Sequence, residues 1–153
     1  MKIITVKKER ELLLIPDAII DVTGGEVLRN KALLISKGRI KELFSLDAAY
    51  RLAEREKIES ISLAGITLMP GLIDCHVHFA LDGVDFHQAL EHWDNEVLLN
   101  AQVSKAAANF LSYGVTTVRD GGDKECIGLR VRDSIKKGNF PGPLVNASGY
   151  VLR

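Results

Sequence analysis

A chain of 153 residues with 20 Lys+Arg against 20 Asp+Glu, 46% apolar and 26% charged, has an ordinary globular balance. That balance excludes intrinsic disorder, a collagen-like repeat and a disulfide-stapled mini-protein. A formal charge of +0 and a pI near 6.9 leave no cationic surplus to neutralise phosphates, so nucleic acid is not an expected partner.

The opening run MKIITVKKERELLLIP is broken by Lys7, Lys8, Glu9, Arg10 and Glu11, so it lacks the apolar core of a signal peptide. The uncharged stretch Ile61 to Ile73 is too short to span a membrane and contains Pro70 and Gly71. No membrane partner is expected. Residues 1–65 read as a β-rich block. Its short aliphatic runs, Ile3-Ile4-Thr5-Val6, Leu12-Leu13-Leu14-Ile15 and Ala32-Leu33-Leu34-Ile35, are separated by turn chemistry at Asp21-Val22-Thr23-Gly24-Gly25 and Lys37-Gly38-Arg39. Gly24-Gly25 is a turn rather than a phosphate loop, since no G-x-G-x-x-G or G-K-[ST] surrounds it. Leu46 to Glu59 is charged and helical, a connecting excursion.

Residues 66–153 change rhythm to strand, loop, helix, strand, helix, strand. A first strand ends near Phe79. Asp94 is placed to cap a helix carrying Val97, Ala101, Ala108 and Leu111, stopped by Gly114. Val115 to Val118 is a second, β-branched strand. Ile127, Val131 and Ile135 step along a second helix ending at Gly138, and Leu144 to Gly149 forms a third strand after the loop Phe140-Pro141-Gly142-Pro143. Strands alternating with helices predict parallel βα units, so the fold class is α/β. The two cysteines form no C-x-x-C pair, which points to reduced thiols and a cytoplasmic setting.

Chemistry concentrates in Met69-Pro70-Gly71-Leu72-Ile73-Asp74-Cys75-His76-Val77-His78-Phe79. Side chains alternate faces along a strand, so Ile73, Cys75, Val77 and Phe79 form an apolar face suited to lie under helices. Asp74, His76 and His78 share the other face. Histidines at i and i+2 can offer two ring nitrogens to one metal ion, zinc by ligand type. Asp74 is placed to orient a ligand or the neighbouring backbone. H-x-H alone is weak and also fits polar filler; joined to the Pro-Gly entry, the aspartate and the facial split, it is strong.

The run Pro70 to His78 resembles the first-strand signature of the amidohydrolase superfamily, metal-dependent hydrolases built on a (β/α)8 barrel. Ala18 to Gly25, Ala32 to Ile35 and Gly38-Arg39-Ile40 are similar to the small β-sandwich (composite) domain that precedes the barrel in many members. Gly114 to Gly122 and Gly142-Pro143 resemble the second and third barrel strands of the imidazolonepropionase-like and prolidase-like branch. The resemblance implies that residues 1–65 are a composite sandwich segment and 66–153 the first three barrel units. It implies that His76 and His78 bind the more buried ion of a site holding one or two divalent ions, which acidify a water and polarise the carbonyl of an amide, cyclic amide or dipeptide-like substrate, with a carboxylate as proton shuttle. The family's other ligands come from strands four, five, six and eight, beyond Arg153, and a closed barrel takes roughly 200 residues or more. The chain is therefore expected to be the front portion of a longer enzyme and inactive by itself, because two histidines fall short of the three protein ligands of catalytic zinc.

Weaker candidates lie near the expected catalytic face. His87 and His92 sit in the loop expected over Asp82 to Asn95, where solvated histidines outweigh substrate contacts, and Trp93 reads as a packing anchor. Cys75 falls on the apolar face as a small buried hydrophobe; Cys126 has no assigned role. Arg119 and Asp120 end the second strand, and Tyr150 and Arg153 follow the third; Asp120 and Tyr150 stand as candidate substrate contacts. Two rival readings accompany the enzyme: a non-catalytic chain that pairs with another polypeptide to complete a barrel, and a stand-alone module binding metal weakly through His76 and His78. Homo-oligomerisation is left open.

Overall fold

The aliphatic run at Leu12 continues past Pro16 as strand β1 (Leu12–Asp21) in the computed structural model, which describes residues 10–81, 83 and 85–150. The strand expected at Ile3–Val6 lies outside the described residues. β1 pairs antiparallel with β2 (Glu26–Arg29) and β3 (Lys31–Ser36), and β3 pairs with β4 (Arg39–Ser45). The other long partner of β1 is parallel: β5 (Glu59–Leu68). Proline cannot donate to a ladder, and the β1–β5 register shifts between Pro16 and Ala18. Asp17 spans that shift, its carboxylate accepting the Gly65 N–H at 2.9 Å. The β1–β2 turn closes on Asp21, which accepts the amides of Thr23 and Gly24, while Gly25 takes the positive φ of 69° that the turn requires.

Helix α1 (Leu46–Glu56) starts at a Ser45 cap and stops at Lys57, which adopts a left-handed conformation (φ 54°). The helix is thus shorter than the Leu46–Glu59 excursion, since Glu59 already belongs to β5. Ala49 of α1 is buried against Leu13, Ala32 and Leu34, with Phe44, Leu52 and Ile58 packed around them. This unit is one five-stranded sheet with a helix against it; among the described residues there is no second sheet stacked on it. β5 carries the chain across Ile66, and the two compact units divide between Pro70 and Gly71.

The second unit is a parallel sheet of β6 (Leu72–Val77), β7 (Val115–Asp120) and β8 (Leu144–Ala147), in that order. Between β6 and β7 run α2 (Phe86–His92) and α3 (Glu96–Ser112); between β7 and β8 runs α4 (Ile127–Lys137). α2 lies within the span expected to be loop: Asp85 caps it by accepting the Gln88 amide. The cap of α3 is Asn95, which accepts from Val97 and Leu98, and not Asp94, which turns to Lys124 at 2.7 Å. Gly138 closes α4 at φ 79°, as expected from its position. Leu99, Val103 and Ala107 of α3 and Ile127 and Val131 of α4 bury Phe79, Val118 and Val145 of the sheet side.

That helical cover leaves part of β6 open. Phe79 is 1% exposed and Val77 half-buried, but Ile73 is 67% exposed and Cys75 is exposed too. The expectation that Cys75 is a buried hydrophobe is thereby corrected. α3 packs on β7 and α4 on β8, so the outer start of β6 has no helix over it among the described residues. Within those residues, β6 and β8 each pair with β7 alone, and Leu72, Ile73 and Leu144 are exposed. Open strand edges and uncovered apolar side chains favour association. The 153-residue chain by itself is expected to self-associate in light scattering; a monodisperse monomer would contradict this.

Candidate metal centre

The two histidines are brought together by a defect in strand pairing. β6 and β7 are in register at Asp74 with Val118 and again at Val77 with Asp120, so β6 carries one extra residue between them. Such a bulge bends the strand and re-aims side chains. The Asp74 carboxylate accepts the His76 N–H at 3.0 Å, two residues along its own strand, within that bulge. β6 ends at Val77, which places His78 just beyond the strand rather than within one ending near Phe79.

The rings of His76 and His78 converge. Their Nε2 atoms lie 3.1 Å apart, with ring centroids 5.0 Å apart and planes at 67°. Two nitrogens bound tetrahedrally to one zinc at about 2.0–2.1 Å stand about 3.3–3.4 Å from each other, so the observed spacing lies within a few tenths of an ångström of that for two donors to a single cation. Both rings cover Gly121 at the end of β7: a Cβ there would come within 3.2 Å of His78 Cε1 and 3.5 Å of His76 Nε2. His78 Nδ1 donates to the Gly122 carbonyl at 2.7 Å, the arrangement that leaves a neutral imidazole with its lone pair on Nε2.

Beneath this pair lies a loop that sequence reasoning credited only with Asp120. The Asp120 side chain is fully buried and accepts the amides of Phe79 (3.2 Å) and Gly122 (3.0 Å). Its carboxylate lies against Gly128 in the first turn of α4, near the positive end of the helix dipole, where a Cβ would collide with it. Asp120 is thus a buried anchor; it is not exposed to a substrate. Asp123, 5% exposed, accepts the Ala80 amide at 3.0 Å, and its other oxygen is 3.7 Å from His78 Nδ1. Burial pushes its carboxyl up to about 7, reinforced by the charge of Asp120 and a hydrogen bond with it, against the pull of the Ala80 amide and of His78. The readable signal for Asp123 was a strand-ending aspartate followed by two glycines and another aspartate. Beyond the loop, Glu125 and Cys126 both adopt left-handed φ (51° and 56°) at the entry to α4, a conformation costing about 1–2 kcal/mol per residue.

The other candidates lie apart from the pair. His87 is exposed on α2. His92 donates from Nδ1 to Gln102 Oε1 at 2.8 Å, joining α2 to α3. Trp93 is an anchor, its Nε1 donating to the Ala80 carbonyl at 2.8 Å with Lys124 Nζ 5.7 Å from its ring. Arg119 and Tyr150 are exposed, and Arg153 lies outside the described residues. Among the described residues no three His, Cys, Asp or Glu side chains are grouped to hold a metal.

Residues 67–153 match the Amidohydrolase family. The chain belongs to the amidohydrolase family. Among its relatives in that family, the imidazolonepropionase of Legionella pneumophila (strain Corby) is 33% identical over 116 residues, 75% of this chain and 28% of that protein. The ochratoxinase of Aspergillus niger is 31% identical over 131 residues, 84% of this chain and 26% of its own length. The A. niger ochratoxinase crystal structure superposes with a TM-score of 0.72 at 29% identity, over 92% of this chain and 31% of that one. A prolidase complexed with N-methylphosphonate-L-proline gives 0.73 at 26% identity, over 91% and 32%. The chain thus spans about a quarter to a third of the length of these amidohydrolase relatives. It shares the α/β fold of their N-terminal part, and no helix among its described residues is long and apolar enough to cross a membrane.

The packing of Gly128 against Asp120 is directly testable. Gly128→Ala is expected to destabilise the second unit by about 1–3 kcal/mol, the usual cost of forcing extra carbon into a filled site. Urea unfolding followed through Trp93 fluorescence would show this, and an unchanged midpoint would mean that the carboxylate is not held there.

Proposed function

We propose that this chain is the front portion of a metal-dependent hydrolase that cleaves C–N bonds of small amide, cyclic amide or dipeptide-like substrates. His76 and His78 supply two of the ligands to a divalent ion, zinc by donor type. The observation that carries the reading is the 3.1 Å approach of the two Nε2 atoms, with His78 Nδ1 already committed to the Gly122 carbonyl. Family membership supports the reaction class: its relatives include an imidazolonepropionase, an ochratoxinase and a 5-methylthioadenosine/S-adenosylhomocysteine deaminase.

Each residue of the site has a defined task in this reading. His76 and His78 present nitrogen lone pairs. Asp74 holds the backbone of His76 at the bulge. Gly121 leaves room for both rings. When bound, the ion supplies Lewis-acid polarisation of a carbonyl and acidifies a water toward neutrality. Catalytic zinc takes three protein ligands, so the remaining donors come from outside the described residues. The chain alone is then inactive, and His87, His92 and Tyr150 belong to the surroundings rather than to the ligand set.

The exposed Leu72, Ile73 and Leu144 on β6 and β8 favour a second reading, in which another polypeptide supplies the neighbouring strands. Both readings give the histidines the same role, and they differ in whether the completing strands belong to the same polypeptide.

In the complete protein, replacing His76 and His78 together by alanine is expected to abolish bound metal while leaving most of the fold in place. Elemental analysis of purified protein, with circular dichroism as the folding check, measures both. Wild-type metal content in a folded double variant would refute the ligand assignment.

A further inference from the structure

We propose that the loop Asp120-Gly121-Gly122-Asp123 is a clamp that fixes the tautomer of His78, with Asp120 and Asp123 acting as positioning residues through the backbone. The inference rests on the reading that His76 and His78 hold a metal ion, and it extends that reading to residues that never touch the ion.

A neutral imidazole carries one ring N–H, and whichever nitrogen holds it cannot ligate a cation. His78 Nδ1 donates to the Gly122 carbonyl at 2.7 Å, so its Nε2 is bare and faces His76 Nε2 at 3.1 Å. With a neutral His78 ring, a proton between the two Nε2 atoms would then sit on His76. A cation takes its place.

The Asp120 carboxylate holds both ends of the His78–Gly122 hydrogen bond, and Asp123 adds a second hold on the histidine side. On the histidine side, the next two amides are captured in turn: Phe79 N–H donates to Asp120 and Ala80 N–H to Asp123. On the carbonyl side, Gly122 N–H donates to the second oxygen of Asp120. The flanking residues are tied as well, Gly121 N–H to the Val77 carbonyl at 2.9 Å and Asp123 N–H to the Gly149 carbonyl at 3.1 Å. The ends of β6 and β7 and the residue Gly149 beyond β8 are thereby laced around one carbonyl. Asp123 stands 3.7 Å from His78 Nδ1, too far for a direct hydrogen bond, so its influence passes through the Ala80 amide.

Asp120 is the more demanding of the two. Both its oxygens accept backbone N–H groups, and an asparagine can accept from only one while presenting its NH2 to the other. Asp120→Asn therefore releases one end of the clamp with little change in size.

The test has two arms on the complete protein. In the metal-free wild type, nitrogen-15 shifts of His78 should report the Nδ1–H tautomer; an Nε2–H tautomer would overturn the proposal with no variant needed. Asp120→Asn should admit the Nε2–H tautomer and weaken zinc affinity by about tenfold to a hundredfold, the usual effect of removing the partners that orient a metal ligand. If His78→Ala abolishes zinc binding but Asp120→Asn changes neither affinity nor tautomer, the clamp fails and the metal reading stands. If His78→Ala leaves zinc affinity unchanged, the metal reading fails, and the tautomer shifts still decide the clamp. Should Asp120→Asn not fold, the wild-type shifts alone decide it.

Discussion

The buried carboxylate of Asp120 is the constraint on which the second unit depends. A carboxylate removed from water is costly unless its oxygens are satisfied, and here the two backbone amides of Phe79 and Gly122 and the N-terminal turn of α4 do so. Those contacts dictate neighbouring sequence. Gly128 must lack a side chain to admit the carboxylate, and the chain after β7 must turn back on itself at Gly121-Gly122. The turn brings a carbonyl to His78 and an open floor to both imidazoles. Without this anchor the ends of β6 and β7 would lose their shared reference point, and the histidines would be two polar side chains near an edge.

Much of this was readable from sequence, where the signals were periodic or chemical. The β-branched run Val115-Thr116-Thr117-Val118 and the four-residue step of Ile127, Val131 and Ile135 appear as β7 and α4 because they match the periods of strand and helix. The H-x-H run announced two neighbouring imidazoles, which meet at the end of β6 with His78 just past the strand. What escaped depends on tertiary partners. α2 is a short helix with a mixed pattern, stabilised by its Asp85 cap and the buried Ala89, so no local period announced it. Asp94 and Asn95 are both good caps, and the pairing of Asp94 with Lys124 decides between them. Cys75 was assigned to a buried face by alternation, but alternation fixes only the side on which a residue points and not whether anything covers it. Asp123 escaped because its significance lies in a contact with a histidine distant along the chain.

The family places these local facts in a larger frame. The amidohydrolase match begins at residue 67, close to where the structure divides, while the β-rich unit before it is a sheet organised around β1. The structural likeness to an ochratoxinase and a prolidase nevertheless extends over nine-tenths of the chain, so both units share in it. The chain carries the histidine pair proposed as ligands together with the loop that supports it.

The central claim is that His76 and His78 share one cation above Gly121. The most direct measurement is an anomalous-scattering map, recorded at the zinc edge, from crystals of the complete protein grown with zinc. The account predicts a single strong peak within bonding distance of both Nε2 atoms, with His78 Nδ1 still on the Gly122 carbonyl. A peak elsewhere, or histidine rings turned away from each other with no peak between them, would contradict it.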